Sequence, residues 1–414
     1  MKMYNFKKTE IGEIPKNWGL YKLGNYVNLI KGISYRSEDY CLENEGHIFI
    51  NLKCVARNGG FRKEGIKFYK GDVKEEQFVK PGDIVIANTD LTQNREIIGS
   101  PIKIPDIKSN RKMCISLDIS KIDIIDKKLN NDFLYYYLMS PNARYFMISN
   151  SNGTTVLHLS TNNVSDMLIP LPTLAEQRAI ASVLSSFDDK IDLLHRENKT
   201  LEQMAEALFR QWFVDSDYSC KVSDLIEIQN GYAFKSKDFK DVGVNGVIKI
   251  KNISGNIVDI YNCDFIDELV ASQIGSRFVV ETGDILFAMT GAEIGKMGIV
   301  PQTERKLLLN QRVGIFKEKY NGSRFLAYLQ LKSDYGQDYI DNTATGSAQP
   351  NISSSGIVNC DFPNISKEQI IIYSEQLSSL FAKIIFNLGQ IRTLEKMRDT
   401  LLPKLMSGEV RVAI

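Results

Sequence analysis

Two long stretches of the chain repeat apolar residues about every 3.5 positions, the spacing of one buried face on a helix. In the first, Leu184, Ile191, Asn198, Ala205 and Trp212 share one core position, and Phe187, Leu194, Leu201 and Leu208 share the other. In the second, Leu377, Ile384, Ile391 and Arg398 alternate with Leu380, Asn387, Leu394 and Leu401, and Pro403 closes the pattern. Both stretches open on a capping box: Thr173-Leu174-Ala175-Glu176 after Pro172, and Ser366-Lys367-Glu368-Gln369. In such a box the hydroxyl serves the third amide of the helix and the third side chain reaches back. Helices over 173–214 and 366–408 follow. A helix of about 40 residues is about 60 Å long, and a stripe of that length has to find a partner. An antiparallel pairing that sets Asn198 on Asn387 also sets Ile191 on Leu394, Leu194 on Ile391, Leu201 on Ile384 and Leu208 on Leu377. Only Phe187 on Arg398 is mismatched. The two asparagines would then fix the register, because a buried amide is costly unless another polar group satisfies it; the alternative leaves both in solvent.

Between the helices the pattern shortens to β-type runs, Ile48-Phe49-Ile50, Asp83-Ile84-Val85-Ile86, Val247-Ile248-Lys249-Ile250 and Asp284-Ile285-Leu286-Phe287, set among Gly, Asn, Asp and Lys. An aromatic helix is expected over 131–139 and again over 324–329, with its rings in the core. These runs recur in order. Gly32-Ile33-Ser34-Tyr35-Arg36-Ser37-Glu38-Asp39-Tyr40 is answered by Gly231-Tyr232-Ala233-Phe234-Lys235-Ser236-Lys237-Asp238-Phe239, Gly82-Asp83-Ile84 by Gly283-Asp284-Ile285, Gly153 by Gly346 and Pro170 by Pro363. A period this long describes two domain-sized copies, not a solenoid. The expected class is α+β: two duplicated α/β domains, 18–168 and 216–362, each followed by a long helix, 173–214 and 366–408, with an arm over 1–17 and a tail over 409–414. The helices form an antiparallel coiled coil of pseudo-twofold symmetry.

Composition narrows the chemistry. The 414 residues contain six cysteines, far apart and without a Cys-x-x-Cys pair, and three histidines, so neither disulfide frameworks nor metal clusters are expected. No signal peptide and no run of eighteen apolar residues is present, which points to a cytoplasmic protein with no membrane contact. The net charge is +1; residues 16–150 hold 21 Lys/Arg against 16 Asp/Glu, and residues 216–360 hold 15 against 17. Any contact with phosphates must therefore come from local patches.

The chain has no phosphate-cradling Gly-Lys-Ser/Thr loop and no Asn/Asp-Pro-Pro-aromatic motif of amino-methyltransferases. Asp284 followed by Glu304 and Lys306 has the loose form of a metal-dependent nuclease site, but its copy Asp83 lacks the Glu-x-Lys. His47, His158 and His195 lack ligand or nucleophile spacing. There remain polar loops at matching places: Tyr35 and Arg36; Lys53 and Arg57; Thr92, Gln93, Asn94 and Arg95; then Lys235 and Lys237, Lys251 and Asn252, Thr290 and Lys296, and Gln349. Such side chains can bond base edges or phosphates, or be plain solvated loop.

Together these features resemble the DNA-specificity subunit of type I restriction-modification systems. The resemblance spans nearly the whole chain. It is carried by Ile14-Pro15-Lys16-Asn17-Trp18, by Gly283-Asp284-Ile285-Leu286, by Ile169-Pro170-Leu171-Pro172-Thr173-Leu174-Ala175-Glu176-Gln177, and by Leu402-Pro403-Lys404-Leu405-Met406-Ser407-Gly408-Glu409. The second copy departs from it, with Phe362-Pro363-Asn364-Ile365 in place of the Pro-Leu-Pro run and no Ile-Pro-x-x-Trp near 215–218. The resemblance implies a non-catalytic, cofactor-free subunit that reads a bipartite, asymmetric double-stranded DNA target, one domain per half-site. It also implies two methyltransferase subunits, which use S-adenosylmethionine, and through them two restriction subunits. A coiled-coil scaffold without a DNA role is the competing class; salt-sensitive binding to a split site separates the two.

Overall fold

The computed structural model describes residues 5–43, 45–57, 59–92, 94–346 and 350–413. The chain divides into two units: residues 1–189 with 395–414, and residues 190–394. The division passes through both long helices, Leu174–Trp212 and Lys367–Ser407, so each unit contains a segment of each.

In unit 1 the strand Ile119–Ile124 pairs antiparallel with Val27–Lys31 on one side and Ile84–Ala87 on the other, and Pro101–Lys103 completes that sheet. A second sheet joins His47–Ile50 in parallel to Met113–Ile115, flanked by Lys67–Tyr69 and Phe78–Val79. Alternation dictates which faces are buried: Ile48 and Ile50 pack with Val85, Ala87, Ile102 and Ile115 between the sheets. The aromatic helix Asn131–Met139 buries Phe133, Leu134, Tyr136, Tyr137 and Leu138, as expected of core rings.

Unit 2 repeats both sheets and enlarges them. Val313–Glu318 lies between Ile226–Asn230 and Ile285–Ala288, followed by Met297–Ile299, Asn256–Val258 and Ile253–Ser254. Asn245–Ile248 pairs in parallel with Leu307–Leu309, and Asp264–Ile266 and Phe239–Lys240 extend that sheet. The strand expected to run to Ile250 stops at Ile248, because Ile250–Asn252 closes into a 3-10 turn held by the Asn252 side chain on the Lys249 amide. The aromatic helix spans Ser323–Lys332.

The helix ends correct one expectation. Ser366 and Gln369 form the full reciprocal box, each side chain accepting from the other's amide, at 2.9 and 3.3 Å. At Thr173 only half of it exists: the hydroxyl accepts from the Glu176 amide, but the Glu176 carboxylate turns away. It is buried, accepts the Trp18 indole N–H at 3.1 Å and pairs with the Arg411 guanidinium. Pro403, which closes the heptad pattern, lies inside the second helix. The helix runs on to Ser407 with Leu402, Leu405 and Met406 in the same core as Ile14 and Trp18, and it ends where Gly408 takes a φ of 74°. An interior proline costs about 3 kcal/mol; burying Leu405 and Met406 offsets it at roughly 2 kcal/mol each.

Within unit 2 the helix segments run antiparallel: Trp212 stacks on Tyr373 at 4.1 Å, and further along Asn387 Nδ2 donates to Asn198 Oδ1 at 2.8 Å. Asn387 Nδ2 also donates to Glu197 at 3.0 Å. Ile191, Leu194, Ala205, Leu377, Ile384 and Ile391 are buried beside them. The heptad drifts at its end, where Phe209 is buried and Leu208 only half-buried; a straight helix has 3.6 residues per turn, not 3.5. In unit 1, Arg398 avoids Phe187 by pairing with Asp188 at 2.7 Å, and Asp188 also accepts the Tyr136 hydroxyl at 2.6 Å. Burial works to lower the Arg398 pKa, but the hydrogen bonds and charges of Asp188 and Asp399 raise it.

Candidate nucleic-acid interface

The repeated glycines mark where each domain is tightest. A Cβ on Gly32 would stand 2.2 Å from the Ser116 carbonyl oxygen, and one on Gly231 would stand 2.2 Å from that of Asn310. Those carbonyls belong to equivalent turns that join the paired strands of the two sheets. In the first, the amides of Ser116, Leu117 and Ile119 donate to Ile50, Ile33 and Ser116, while Gly32 donates to Ile119 and Asn88 to Asp118. In the second, Asn310, Gln311 and Val313 donate to Ile248, Tyr232 and Asn310, while Gly231 donates to Val313 and Met289 to Arg312. Each of these backbone bonds of one turn has its counterpart in the other.

Beside the first turn lies a concavity of about 650 Å³. Four residues expected from the sequence, Tyr35, Lys53, Arg57 and Thr92, line it together. Tyr35 is wedged against Tyr40 and Phe49, with ring centroids 5.7 and 5.1 Å away, so its aromatic body is anchored. Lys53 projects from the 3-10 turn Leu52–Cys54, which Asn51 caps by accepting the Lys53 amide. Arg57 pairs with Glu96 at 3.2 Å. Sequence reasoning missed Arg62, Lys67, Asp118 and His158, which share the lining. Lys67 lies over the Tyr40 ring at 4.1 Å. Burial, with the Tyr35 ring and hydroxyl and Asp118 alongside, pushes the Tyr40 phenol up to about 12, so it stays a neutral donor.

The loop carrying Thr92, Asn94 and Arg95 is gathered by Asp90. Its carboxylate accepts the amides of Thr92, Ile97 and Ile98 at 2.6, 2.7 and 2.8 Å. Burial works to raise the Asp90 pKa, but these hydrogen bonds win and hold it below the ordinary carboxylate value. Asn94 and Arg95 are exposed on the loop, and Arg95 takes a left-handed φ of 58°. Arg36 is exposed beside Glu38. Gln93 and Gln349 lie outside the described residues.

In unit 2 the expected residues are less gathered. Lys235 and Lys237 are exposed on the turn after the repeated glycine. Lys251 occupies the place of Lys53 but pairs with Asp264 at 2.6 Å. Lys296 pairs with Glu293. Asn252 departs from the expectation of a reading residue: it is buried and its amide donates to the Asn262 carbonyl at 3.1 Å. Thr290 is half-buried, bridged to Asn351, and its hydroxyl is enclosed.

The sequence matches the family described as type I restriction modification DNA specificity domain twice, over residues 15–203 and 217–401. The chain belongs to this family. It is 24% identical to the type I restriction enzyme MjaVIII specificity subunit of Methanocaldococcus jannaschii, covering 99% of this chain and 96% of that one. To the HindI specificity subunit of Haemophilus influenzae it is 25% identical, covering 95% and 100%. The crystal structure of the type I restriction-modification S subunit from M. genitalium shares the fold, with a TM-score of 0.57, 17% identity and coverage of 94% and 96%.

As in a specificity domain, the chemistry here is recognition. Asp284 and Lys306 of the nuclease pattern are held by other partners. Asp284 accepts the Glu281 amide at 2.7 Å, as Asp83 accepts that of Lys80 at 3.0 Å, so both repeated aspartates close a turn in which Gly82 and Gly283 take φ of 91° and 84°. Lys306 pairs with Glu268, and no group of three potential ligands exists among the described residues. The cysteines are free thiols, and burial pushes that of Cys114 up to about 12. His195 is exposed on its helix. Among the described residues no helix is long and apolar enough to cross a membrane.

Proposed function

We propose that this chain is the non-catalytic DNA-specificity subunit of a type I restriction-modification complex, and that it reads a bipartite, asymmetric target with one half-site per domain. The domains over 18–168 and 216–362 are the reading parts, and the long helices hold two methyltransferase subunits and, through them, two restriction subunits in the cytoplasm. The observation that carries the reading is the pair of equivalent turns: the backbone repeats bond for bond, while the side chains around it do not repeat. Two readers of different half-sites need that combination. In the first domain the lining cations Lys53, Arg57, Arg62 and Lys67 supply phosphate contacts, and Tyr35 and Thr92 face the groove.

The test is methylation-sensitive sequencing of DNA from cells that express this chain with its methyltransferase subunit. Two unlike half-sites separated by unread base pairs are expected. An uninterrupted or palindromic motif would refute the reading. Removing matched helical turns from both long helices should change the length of the spacer and leave the half-sites intact, since half-sites on one face of a duplex are spaced by turns of about 34 Å.

A further inference from the structure

The two equivalent turns carry opposite charges at their tips. Position by position, Ser116-Leu117-Asp118 corresponds to Asn310-Gln311-Arg312, because each residue makes or accepts the same backbone bond in its own domain. The carbonyl of Asp118 receives the Asn88 amide at 2.7 Å, and that of Arg312 receives the Met289 amide at 3.1 Å, which fixes where each side chain leaves the backbone. Asp118 projects into the concavity, where its side chain accepts the Tyr35 hydroxyl at 3.5 Å. Arg312 is exposed, and its guanidinium has no partner among the described residues.

Asp118 shares its wall with Lys53, Arg57, Arg62 and Lys67 as well as with the exposed Glu64, and a carboxylate there is out of place against phosphate, which would repel it. It is in place against an amino group. In the major groove the exocyclic amines of cytosine N4 and adenine N6 are the donors a carboxylate can accept, and the O6 and N7 of guanine are what an arginine fork donates to. Resting on the specificity reading above, we infer that the two turns are homologous base readers of opposite polarity. Asp118 selects a base with an exocyclic amine in one half-site, and Arg312 selects a guanine in the other.

The experiment methylates a randomised duplex library with the full chain in complex with its methyltransferase subunit, and compares the wild type with Asp118→Ala, Asp118→Leu and Arg312→Ala. The Asp118 variants should relax one position of one half-site by roughly 10- to 100-fold and leave the other half-site unchanged. Whether that position holds cytosine or adenine in the wild-type motif names the amine. Arg312→Ala should relax a single guanine position in the other half-site by a similar factor. Asp118→Leu keeps the size of the side chain without an acceptor, so it decides the matter if Asp118→Ala melts early. The inference is overturned if the motif is unchanged, if methylation falls equally on all sequences, or if both residues act in the same half-site. A wild-type complex with no bipartite motif would instead overturn the specificity reading itself.

Discussion

In the first domain the strand Ile84–Ala87 leads into a loop that Asp90 gathers with three backbone hydrogen bonds; in the second, Ile285–Ala288 leads to Gly291, in a short 3-10 turn without that carboxylate. The contrast recurs where each domain meets the start of its long helix. The first uses a buried Glu176 tied to Trp18 and Arg411, and the second uses the exposed Ser366–Gln369 box. Elsewhere the halves agree closely, in strand order, in the two glycine-backed turns and in the Gly-Asp turns. What diverged after duplication is therefore what hangs on the backbone, while the backbone's own hydrogen bonds were kept. A backbone bond does not depend on which side chain its residue carries, so sites framed that way can change specificity without refolding.

The largest difference between the halves should appear when their helix starts are broken. Glu176→Ala takes the acceptor from the Trp18 indole and the Arg411 guanidinium in a buried place, and should destabilise unit 1 by about 3–5 kcal/mol. Gln369→Ala should cost less than about 1 kcal/mol; thermal melts of the two variants compare them, and equal losses would erase the contrast. Next comes the asparagine pair of unit 2. Asn387→Leu leaves Asn198 and Glu197 without its amide and should cost about 1–3 kcal/mol. Asn198→Leu added to it should restore the stability while permitting a second helix register, visible by cysteine cross-linking between the helices.

A smaller effect separates the loops. Asp90→Asn should cost about 1–2 kcal/mol by weakening three charge-assisted bonds, whereas the loop at Gly291 offers no such target. Because the Asp90 pKa is depressed in the fold, its contribution is fully present above the ordinary value of 3.8 and is lost as the pH falls through the lower folded value. Acid melts of Asp90→Asn should accordingly decline less steeply than those of the wild type below pH 3.8. The smallest effect contrasts equivalent lysines. Lys53 has no ion pair among the described residues, so Lys53→Ala should weaken DNA binding evenly over all sequences and lower the salt slope by about 1. Lys251→Ala should do less, since Asp264 already neutralises it.

The long helices, the duplication and the two Gly-motif turns were legible because each rests on local periodicity or on a residue type that the backbone demands. The second helix runs through Pro403, where the heptad pattern closes, and the burial of Leu405 and Met406 beyond it is a tertiary gain that no local pattern records. The box at Thr173 was half right for the same reason: Glu176 is claimed by Trp18 and Arg411, 158 and 235 residues away. The concavity was half legible. Tyr35, Lys53, Arg57 and Thr92 followed from repeated loop positions, but Arg62, Asp118 and His158 carry no motif and meet them only through strand pairing. Asn252 looked like its lysine neighbour in a polar loop and proved to be the staple of that loop.

Unit 1 is assembled from two separated pieces of chain, residues 1–189 and 395–414, whereas unit 2 is one uninterrupted piece, 190–394. The order of synthesis is therefore not the order of completion. Ile14 and Trp18 are made before unit 2, yet Leu402, Leu405 and Met406, which share their core, follow only after all of unit 2 has been made. At about 5–20 residues per second, that is a wait of tens of seconds during which the core of unit 1 stays unfinished.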